Sequence, residues 1–300
     1  MAFNAYDLRL GKYRYLRGDS EYVDWAESLF DNAILMPSGM SAISLAMQYF
    51  RPESIWYPKD LYQGTMELIE LSRLWYNIRN PDMVIYDYPS FAGVYHKNPL
   101  KDSDAVTVVD NSVEPDLKPE CDILVTSLSK YHTDCQSVLG LLTVNTGEED
   151  LEKMRELRWK SGYVILKEQV DAFAAQYMQY GNDEFNDYIT QFKRKAAEIG
   201  RILTEMKIKN VVSGGLVFIM VPDDWDTREL ALLTPFELRP TYGSKHTLCC
   251  YSYCEDNYRY FGNQLRLGKY IRVSPGLDMT EYWIAMAVKK AFQVYERSRR

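Results

Sequence analysis

No apolar run in this 300-residue chain approaches the roughly 18 residues that a membrane-spanning helix needs. The longest, Tyr282 to Val288 and Leu216 to Val221, stop far short. The opening segment, Met1 to Arg17, mixes charges with Tyr and Leu and has no apolar h-region. No secretory signal is therefore expected, and the cytoplasm is the expected location. A surplus of positive charge is also missing: 35 Lys and Arg against 42 Asp and Glu leave a net charge of −7. Such a chain repels phosphate backbones and anionic lipid, so a small polar substrate is expected as partner in place of nucleic acid or membrane. Cysteine is sparse and odd in number, with Cys121, Cys135, Cys249, Cys250 and Cys254 in a chain long enough to bury a core without staples. Free thiols follow. His246, Cys249, Cys250 and Cys254 crowd one stretch, but no Cys-X-X-Cys or histidine pair answers them, so no metal is expected. Internal repeats, low-complexity tracts and a Pro/Gly-rich linker are all lacking.

What is present is an ordinary globular balance, 46% hydrophobic and 26% charged, in a length that suits one or two domains. The chain holds 24 tyrosines, enough to build sites and interfaces from rings with a polar tip. Tyr22, Trp25, Ala26 and Leu29 stand at helical spacing behind an exposed arm. Strand-length apolar runs then recur at Ala33–Met36, Met83–Tyr86, Ala105–Val109, Ile123–Thr126 and Leu139–Val144, with helical stretches at Met40–Phe50 and Thr65–Tyr76 between the first two. Alternation of this kind predicts an α/β sheet with mostly parallel strands. After Glu148 the texture turns to long amphipathic segments. Phe185, Tyr188, Ile189, Phe192, Ala196, Ile199, Leu203 and Met206 hold a 3.6-residue period over Asn182–Lys209. A strand is expected after Ser213-Gly-Gly215, and a final helix from about Thr280.

The chemistry concentrates in Val108-Val-Asp-Asn-Ser112 and Asp122-Ile-Leu-Val-Thr-Ser-Leu-Ser-Lys-Tyr131. One buried strand ending in Asp110 and a second ending in Ser127, Ser129 and Lys130 put a carboxylate, two hydroxyls and an amine where open α/β sheets bind ligands. A lysine directly after a hydrophobic strand is partly desolvated, which favours the neutral amine that forms Schiff bases. Upstream, Pro37-Ser-Gly-Met-Ser-Ala42 lies between strand and helix, where free N–H groups and the helix dipole cradle phosphate. Phosphate cradle, pyridinium carboxylate and Schiff-base lysine together describe pyridoxal 5′-phosphate (PLP). Singly, each has a plainer reading: Lys130 as a solvated strand end, Asp110-Asn111 as a turn, Ser38-Gly39 as a helix cap, Tyr62 as a packing ring, Arg17 and Arg272 as surface charges. Their joint occurrence in one order carries the functional reading.

These motifs also resemble those of the Cys/Met-metabolism enzymes of PLP fold type I, which include cystathionine γ-synthase, cystathionine γ-lyase and methionine γ-lyase. The similarity runs from about Tyr13 to Asp278. Ser127-Leu-Ser-Lys-Tyr131 is similar to the family's Ser-x-[Thr/Ser]-Lys-Tyr, which implies that Lys130 forms the Schiff base and then moves protons at Cα while Ser127 and Ser129 hold the cofactor. Val109-Asp-Asn-Ser112 implies Asp110 as partner of the pyridine nitrogen. Ser38-Gly-Met-Ser-Ala42 implies phosphate binding by Ser38 and the amides of Gly39 and Met40. Leu61-Tyr-Gln-Gly-Thr65 implies that Tyr62 stacks on the ring and takes part in catalysis. Tyr15-Leu-Arg17 is similar to a Tyr-x-Arg that reaches the neighbouring subunit's phosphate, implying a homodimer or homotetramer with shared sites. Ile271-Arg-Val-Ser-Pro-Gly-Leu-Asp278 implies Arg272 as the clamp on a substrate α-carboxylate, and Thr247 falls near that carboxylate.

The resemblance thus implies an α/β fold of type I, its mostly parallel sheet covered by helices on both faces and followed by a smaller C-terminal α/β domain. The expected units are an arm and helix over 1–30 at the dimer contact, a large PLP-binding domain over 31–180 and a small domain over 181–300. The expected activity is that of a lyase or transferase: Lys130 takes the Cα proton of an L-amino acid, and a β or γ substituent is then eliminated or replaced. Transamination, racemisation, cyclisation, or a non-catalytic dimer of the same fold are the alternatives. The chain departs from the family in three places. Tyr88-Pro-Ser-Phe-Ala92 stands for Pro-Ser-Asn-Pro, so Phe91 replaces a polar neighbour of the cofactor. His132-Thr-Asp-Cys-Gln-Ser137 replaces a glycine-bearing loop beside Lys130, and Ala172-Phe-Ala-Ala-Gln-Tyr177 lacks an expected arginine.

Overall fold

A computed structural model of the chain describes residues 21–100, 103–251 and 269–299, and of residues 180–185 the backbone only. A short helix, α1 (Glu21–Glu27), leads into β1 (Ala33–Met36), α2 (Gly39–Phe50), β2 (Ser54–Trp56), α3 (Gln63–Leu71), β3 (Trp75–Tyr76), β4 (Met83–Asp87), β5 (Val106–Asp110), β6 (Ile123–Thr126) and β7 (Gly140–Val144). These strands form one sheet in the order β1-β7-β6-β5-β4-β2-β3. β7 runs antiparallel to both of its neighbours, and the other pairs are parallel. The C-terminal ends of β1, β4, β5 and β6 therefore share one edge of the sheet with the start of β7.

The strands β1, β4 and β6 are buried along their whole length, as strands must be when helices cover both faces. On one face, α2 and α4 (Glu148–Lys160) pack Ile43, Ala46, Met47, Leu151 and Met154 against Ile34, Val108 and Ile123. On the other, α1 and the start of α5 (Lys167–Glu205) pack Val23, Ala26, Val170 and Phe173 against Ala33, Leu35 and Leu141. The expected α/β class, with its mostly parallel sheet between helices, is the one observed.

The 39-residue α5 is continuous across position 181 and spans roughly 58 Å at 1.5 Å per residue. Its early turns serve the first sheet, and Ala196, Ile199, Ile202 and Leu203 serve a second. That second sheet comprises β8 (Asn210–Ser213), β9 (Leu216–Val221), β10 (Glu237–Leu238), β11 (Leu248–Tyr251) and β12 (Lys269–Ser274), in the order β10-β11-β12-β9-β8. Gly214 takes φ +52° between β8 and β9, the left-handed conformation that a two-residue hairpin turn requires. The remaining helices, α6 (Thr227–Leu232) and α7 (Glu281–Ser298), cover this sheet, and the Thr280 hydroxyl caps α7 by accepting the Trp283 N–H.

The expected helix over Thr65–Tyr76 is shorter than its pattern. Arg73 adopts φ +55°, the chain leaves α3 after Leu71, and Trp75-Tyr76 joins the sheet edge beside β2. The helix expected from Asn182 begins fifteen positions earlier on the sequence, at Lys167, because Val170 and Phe173 find a buried face there. No helix among the described residues is long and apolar enough to cross a membrane.

Two local arrangements fix where the site forms. Glu27 accepts the Leu35 N–H at 2.8 Å and is paired with Arg158, whose Nη1 also donates to the Leu35 carbonyl at 2.9 Å, so a buried ion pair ties α1 and α4 to β1. The register of β1 and β7 sets Met36 opposite Gly140. A Cβ at Gly140 would lie 2.3 Å from the Ser38 carbonyl, so only glycine lets the β1–α2 turn settle there. Glu27→Ala leaves an uncompensated buried guanidinium and is expected to cost about 3–5 kcal/mol in urea unfolding. A loss under about 1 kcal/mol would mean the pair behaves as a surface one. Gly140→Ala is expected to lower stability by about 1–3 kcal/mol, measured by thermal unfolding, and an unchanged midpoint would show that the turn yields freely.

Candidate active site

A cavity of about 500 Å³ opens at the shared strand ends, roofed by the second sheet. Its walls bring together Ser38, Gly39 and Met40 from the β1–α2 turn, Tyr62 from the entry to α3, Asp87 and Asp110 from the ends of β4 and β5, and Ser127, Ser129 and Lys130 from the turn after β6. The loop between β10 and β11 contributes Arg239, Pro240, Thr241 and Tyr242, and β12 contributes Arg272. Residues far apart in the sequence thus meet because parallel strands end together.

Ser38 is the N-cap of α2: its hydroxyl accepts the Ser41 N–H at 3.0 Å, and its own N–H donates to Ser41 Oγ at 2.9 Å. Gly39 and Met40 follow, at positions whose N–H groups have no carbonyl one turn back to meet. A Cβ on Gly39 would lie 3.3 Å from the Ser127 Cβ, so the helix start and the β6 turn close on each other. Ser127 is held by donating its N–H to Ser112 Oγ at 2.7 Å, and Ser112 in turn donates its N–H to Asp110 Oδ1 at 2.8 Å. Ser129 lines the cavity, but its hydroxyl exchanges hydrogen bonds with the Leu139 carbonyl and amide at 2.9 and 2.8 Å. It braces the turn against the strand that returns.

Lys130 Nζ reaches Thr241 Oγ1 at 3.5 Å and lies 4.8 Å above the Tyr242 ring. Burial lowers its pKa, and the Arg272 charge adds to that shift, while Cys135 and Asp110 oppose it. The expectation of a desolvated amine is met by its physical cause. Burial raises the Asp110 carboxyl, against the Ser112 hydrogen bonds and the Lys130 charge that lower it. Burial also raises the Tyr62 and Tyr242 phenols, with the Asp110 charge adding to each.

Arg272 is buried, donates from Nη2 to the Thr241 carbonyl at 2.9 Å, and has no hydrogen bond at Nε. Among the described residues no carboxylate pairs with it, so the guanidinium faces the cavity as a seat for an anion. Its guanidinium carbon lies 5.9 Å from the Phe91 ring centroid and 5.6 Å from that of Tyr242. Phe91 meets Tyr62 edge-on at 5.9 Å and Tyr242 at 6.2 Å, so the position read as a lost polar neighbour has become one side of an aromatic wall.

Thr247 does not line the cavity: its hydroxyl donates to Asp278 Oδ1 at 2.7 Å and accepts the Gly276 N–H, which holds the turn after β12. Tyr15 and Arg17 lie outside the described residues. In the altered loop beside Lys130, Asp134 and Cys135 take φ +49° and +59° without glycine. Asp134 Oδ1 accepts the Lys245 N–H, and Cys135 Sγ donates to the Tyr242 carbonyl at 3.0 Å, ties that fasten the loop to the second sheet. Sequence reasoning missed Asp87, although it ends β4 as Asp110 ends β5 and the same strand-end argument applies. It also missed Thr241 and Tyr242, which sit in a loop with no periodic signal.

No family model matches this chain, and no curated protein sequence does either. Solved structures do. Cystathionine γ-lyase from yeast superposes with a TM-score of 0.77 at 16% identity, covering 95% of this chain and 88% of that one. Cystathionine γ-synthase from Xanthomonas oryzae pv. oryzae, in complex with cystathionine, gives 0.79 at 15% identity over 95% and 89%. A methionine γ-lyase from Micromonospora echinospora gives 0.75 at 16% over 92% and 87%. The resemblance that the motifs carried is thus met at the level of architecture: this chain has the fold of the cystathionine γ-lyase, cystathionine γ-synthase and methionine γ-lyase structures.

Proposed function

We propose that the chain is a PLP-dependent enzyme acting on an L-amino acid by removal of the Cα proton, followed by elimination or replacement at Cβ or Cγ. The observation that carries this reading is the meeting of Lys130, Asp110, Arg272 and the Ser38–Met40 helix start in one cavity. The residues fit the cofactor: unpartnered helix-start amides suit a phosphate, a buried carboxylate suits a protonated pyridine nitrogen, and a desolvated amine suits an aldehyde. When bound, PLP supplies an electrophilic carbon and a ring that takes up electron density from Cα.

Ser38, Gly39 and Met40 hold the phosphate, and Ser127 holds the turn that closes on it. Asp110 would pair with the ring nitrogen, and Tyr62 would pack against the ring. Arg272 grips the substrate α-carboxylate, which aims the Cα–H bond at Lys130. Lys130 Nζ, deprotonated at lower pH than a free lysine, then takes that proton. The family resemblance supports a homo-oligomer with shared sites as the working form, in the cytoplasm. The carbon–sulfur substrates follow from the likeness to structures named for cystathionine and methionine γ-lyase.

Purified protein mixed with PLP is expected to show a visible absorption band, and borohydride reduction followed by peptide mapping is expected to place the label on Lys130. Lys130→Ala should lose the band while keeping its circular dichroism; a colourless wild type would reject the cofactor. Arg272→Leu should retain the band and raise KM for amino acids about ten- to a hundredfold, the worth of hydrogen bonds to a charged group. An unchanged KM would remove Arg272 from substrate binding.

A further inference from the structure

Asp87 and Asp110 are the last residues of β4 and β5, strands that run parallel and in register at that point, so the two side chains leave adjacent strand ends into the same cavity. Asp87 is buried and Asp110 half-buried at the cavity wall, and neither is ion-paired among the described residues. Their surroundings differ. Asp110 Oδ1 accepts the Ser112 N–H and lies in the field of Lys130. Asp87 Oδ2 accepts one uncharged donor, the Tyr62 N–H at 2.6 Å, and faces a second carboxylate, Asp60, from the loop ahead of α3. His96 Nε2 lies 2.7 Å from Asp60 Oδ1 and occupies that carboxylate instead of Asp87. Asp87 therefore stands between two acids, accepts the Tyr62 N–H, and has the cations Lys130 and Arg272 on other walls of the cavity. A buried carboxyl beside a second carboxylate is held from ionising by both burial and repulsion.

We propose that Asp87 is a positioning residue of this site: a carboxylic acid that keeps its proton at neutral pH, leaves Asp110 as the ionised partner for the pyridine nitrogen, and fixes the Tyr62 backbone beneath its ring. The inference rests on the reading of the site as a PLP pocket and assigns its one negative charge to Asp110. Burial and the Asp110 charge act together to push the Asp87 carboxyl well above the ordinary carboxylate range, and the Tyr62 amide only partly offsets them. The folded chain then binds a proton at Asp87 that the unfolded chain has released, so this group's contribution to the stability of cofactor-free protein is full below the ordinary aspartate value of about 3.9 and is lost as pH rises through its raised folded value. Asp87→Asn removes that dependence while its amide oxygen still accepts the Tyr62 N–H.

The test combines ¹³C carboxyl NMR of the full chain, labelled on aspartate, with titration of PLP followed by the visible band. In cofactor-free wild type, one aspartate signal, absent from Asp87→Asn, is expected to report a protonated carboxyl at pH 7. Asp87→Asn is expected to bind PLP within about threefold of wild type and to flatten the fall of the melting temperature with pH. Asp87→Ala, lacking the acceptor, is expected to bind about tenfold more weakly. An Asp87 signal titrating in the ordinary carboxylate range, or PLP affinity lost equally in Asp87→Asn and Asp87→Ala, would overturn the proposal. A wild type that never binds PLP would overturn the functional reading instead, and the carboxyl titration would still decide whether Asp87 keeps its proton.

Discussion

Charge held out of water needs a counter-charge or a dense set of hydrogen bonds, and the cavity at the strand ends withholds the first from four of its groups. Lys130, Arg272, Asp87 and Asp110 line one space, yet among the described residues no ion pair joins any of them. The rest of the molecule makes this arrangement tolerable. Ser112 gives Asp110 a backbone donor, the Tyr62 amide serves Asp87, and the Thr241 carbonyl takes one Nη2 hydrogen of Arg272. All four groups line the cavity. Under the proposed function, a carboxylate, a protonated ring nitrogen and an electrophilic carbon would meet them there.

Holding such groups apart demands rigid supports, and the fold supplies them at three levels. Parallel strands with both faces covered fix the Cα positions of Asp87 and Asp110 through backbone pairing, and the Ser112 hydroxyl holds the Ser127 N–H just past β6. Gly140 and the capping box at Ser38 set the cavity-facing helix start against β7 and β6. The second sheet is then carried to the cavity mouth by α5, and its hairpin turn touches the first unit where Ser213 Oγ donates to the Ser90 carbonyl at 2.7 Å and Gly215 abuts the Tyr131 hydroxyl. Arg272 reaches the cavity from β12 of that sheet.

Most of the first sheet was legible in the sequence because its strands are short, apolar on both faces and separated by polar turns: Ala33–Met36 and Ile123–Thr126 agree with the observed strands residue for residue. The floor of the cavity was legible for the same reason, since a residue at the end of a buried parallel strand has one place to go. What stayed hidden depends on long-range contact. Trp75-Tyr76 follows α3 in helical period and becomes a strand only because Arg73 turns the chain and β2 offers an edge. Thr247 has the chemistry of a substrate ligand, but Asp278, thirty-one residues away in sequence, claims its hydroxyl. Thr241 and Tyr242 approach Lys130 through a loop whose path is set by Gly243, at φ +82° and packed on Tyr131. No local pattern encodes such an approach.

Identity near 16% together with a TM-score of 0.77 divides the molecule into parts that the backbone dictates and parts that it leaves free. Strand ends, a capped helix start and a lysine after a strand are properties of backbone position, so they persist when most side chains change. The cavity wall obeys no such constraint. Phe91, Tyr62 and Tyr242 form a ring-lined side beneath Arg272, and Cys135 occupies a loop whose left-handed turns are held by bonds to the second sheet instead of by glycine. Under the proposed function, the charged floor would take the α-amino acid unit and the aromatic wall would meet its side chain. Reaction type would then reside in the floor and choice of substrate in the wall, so that the two can vary separately.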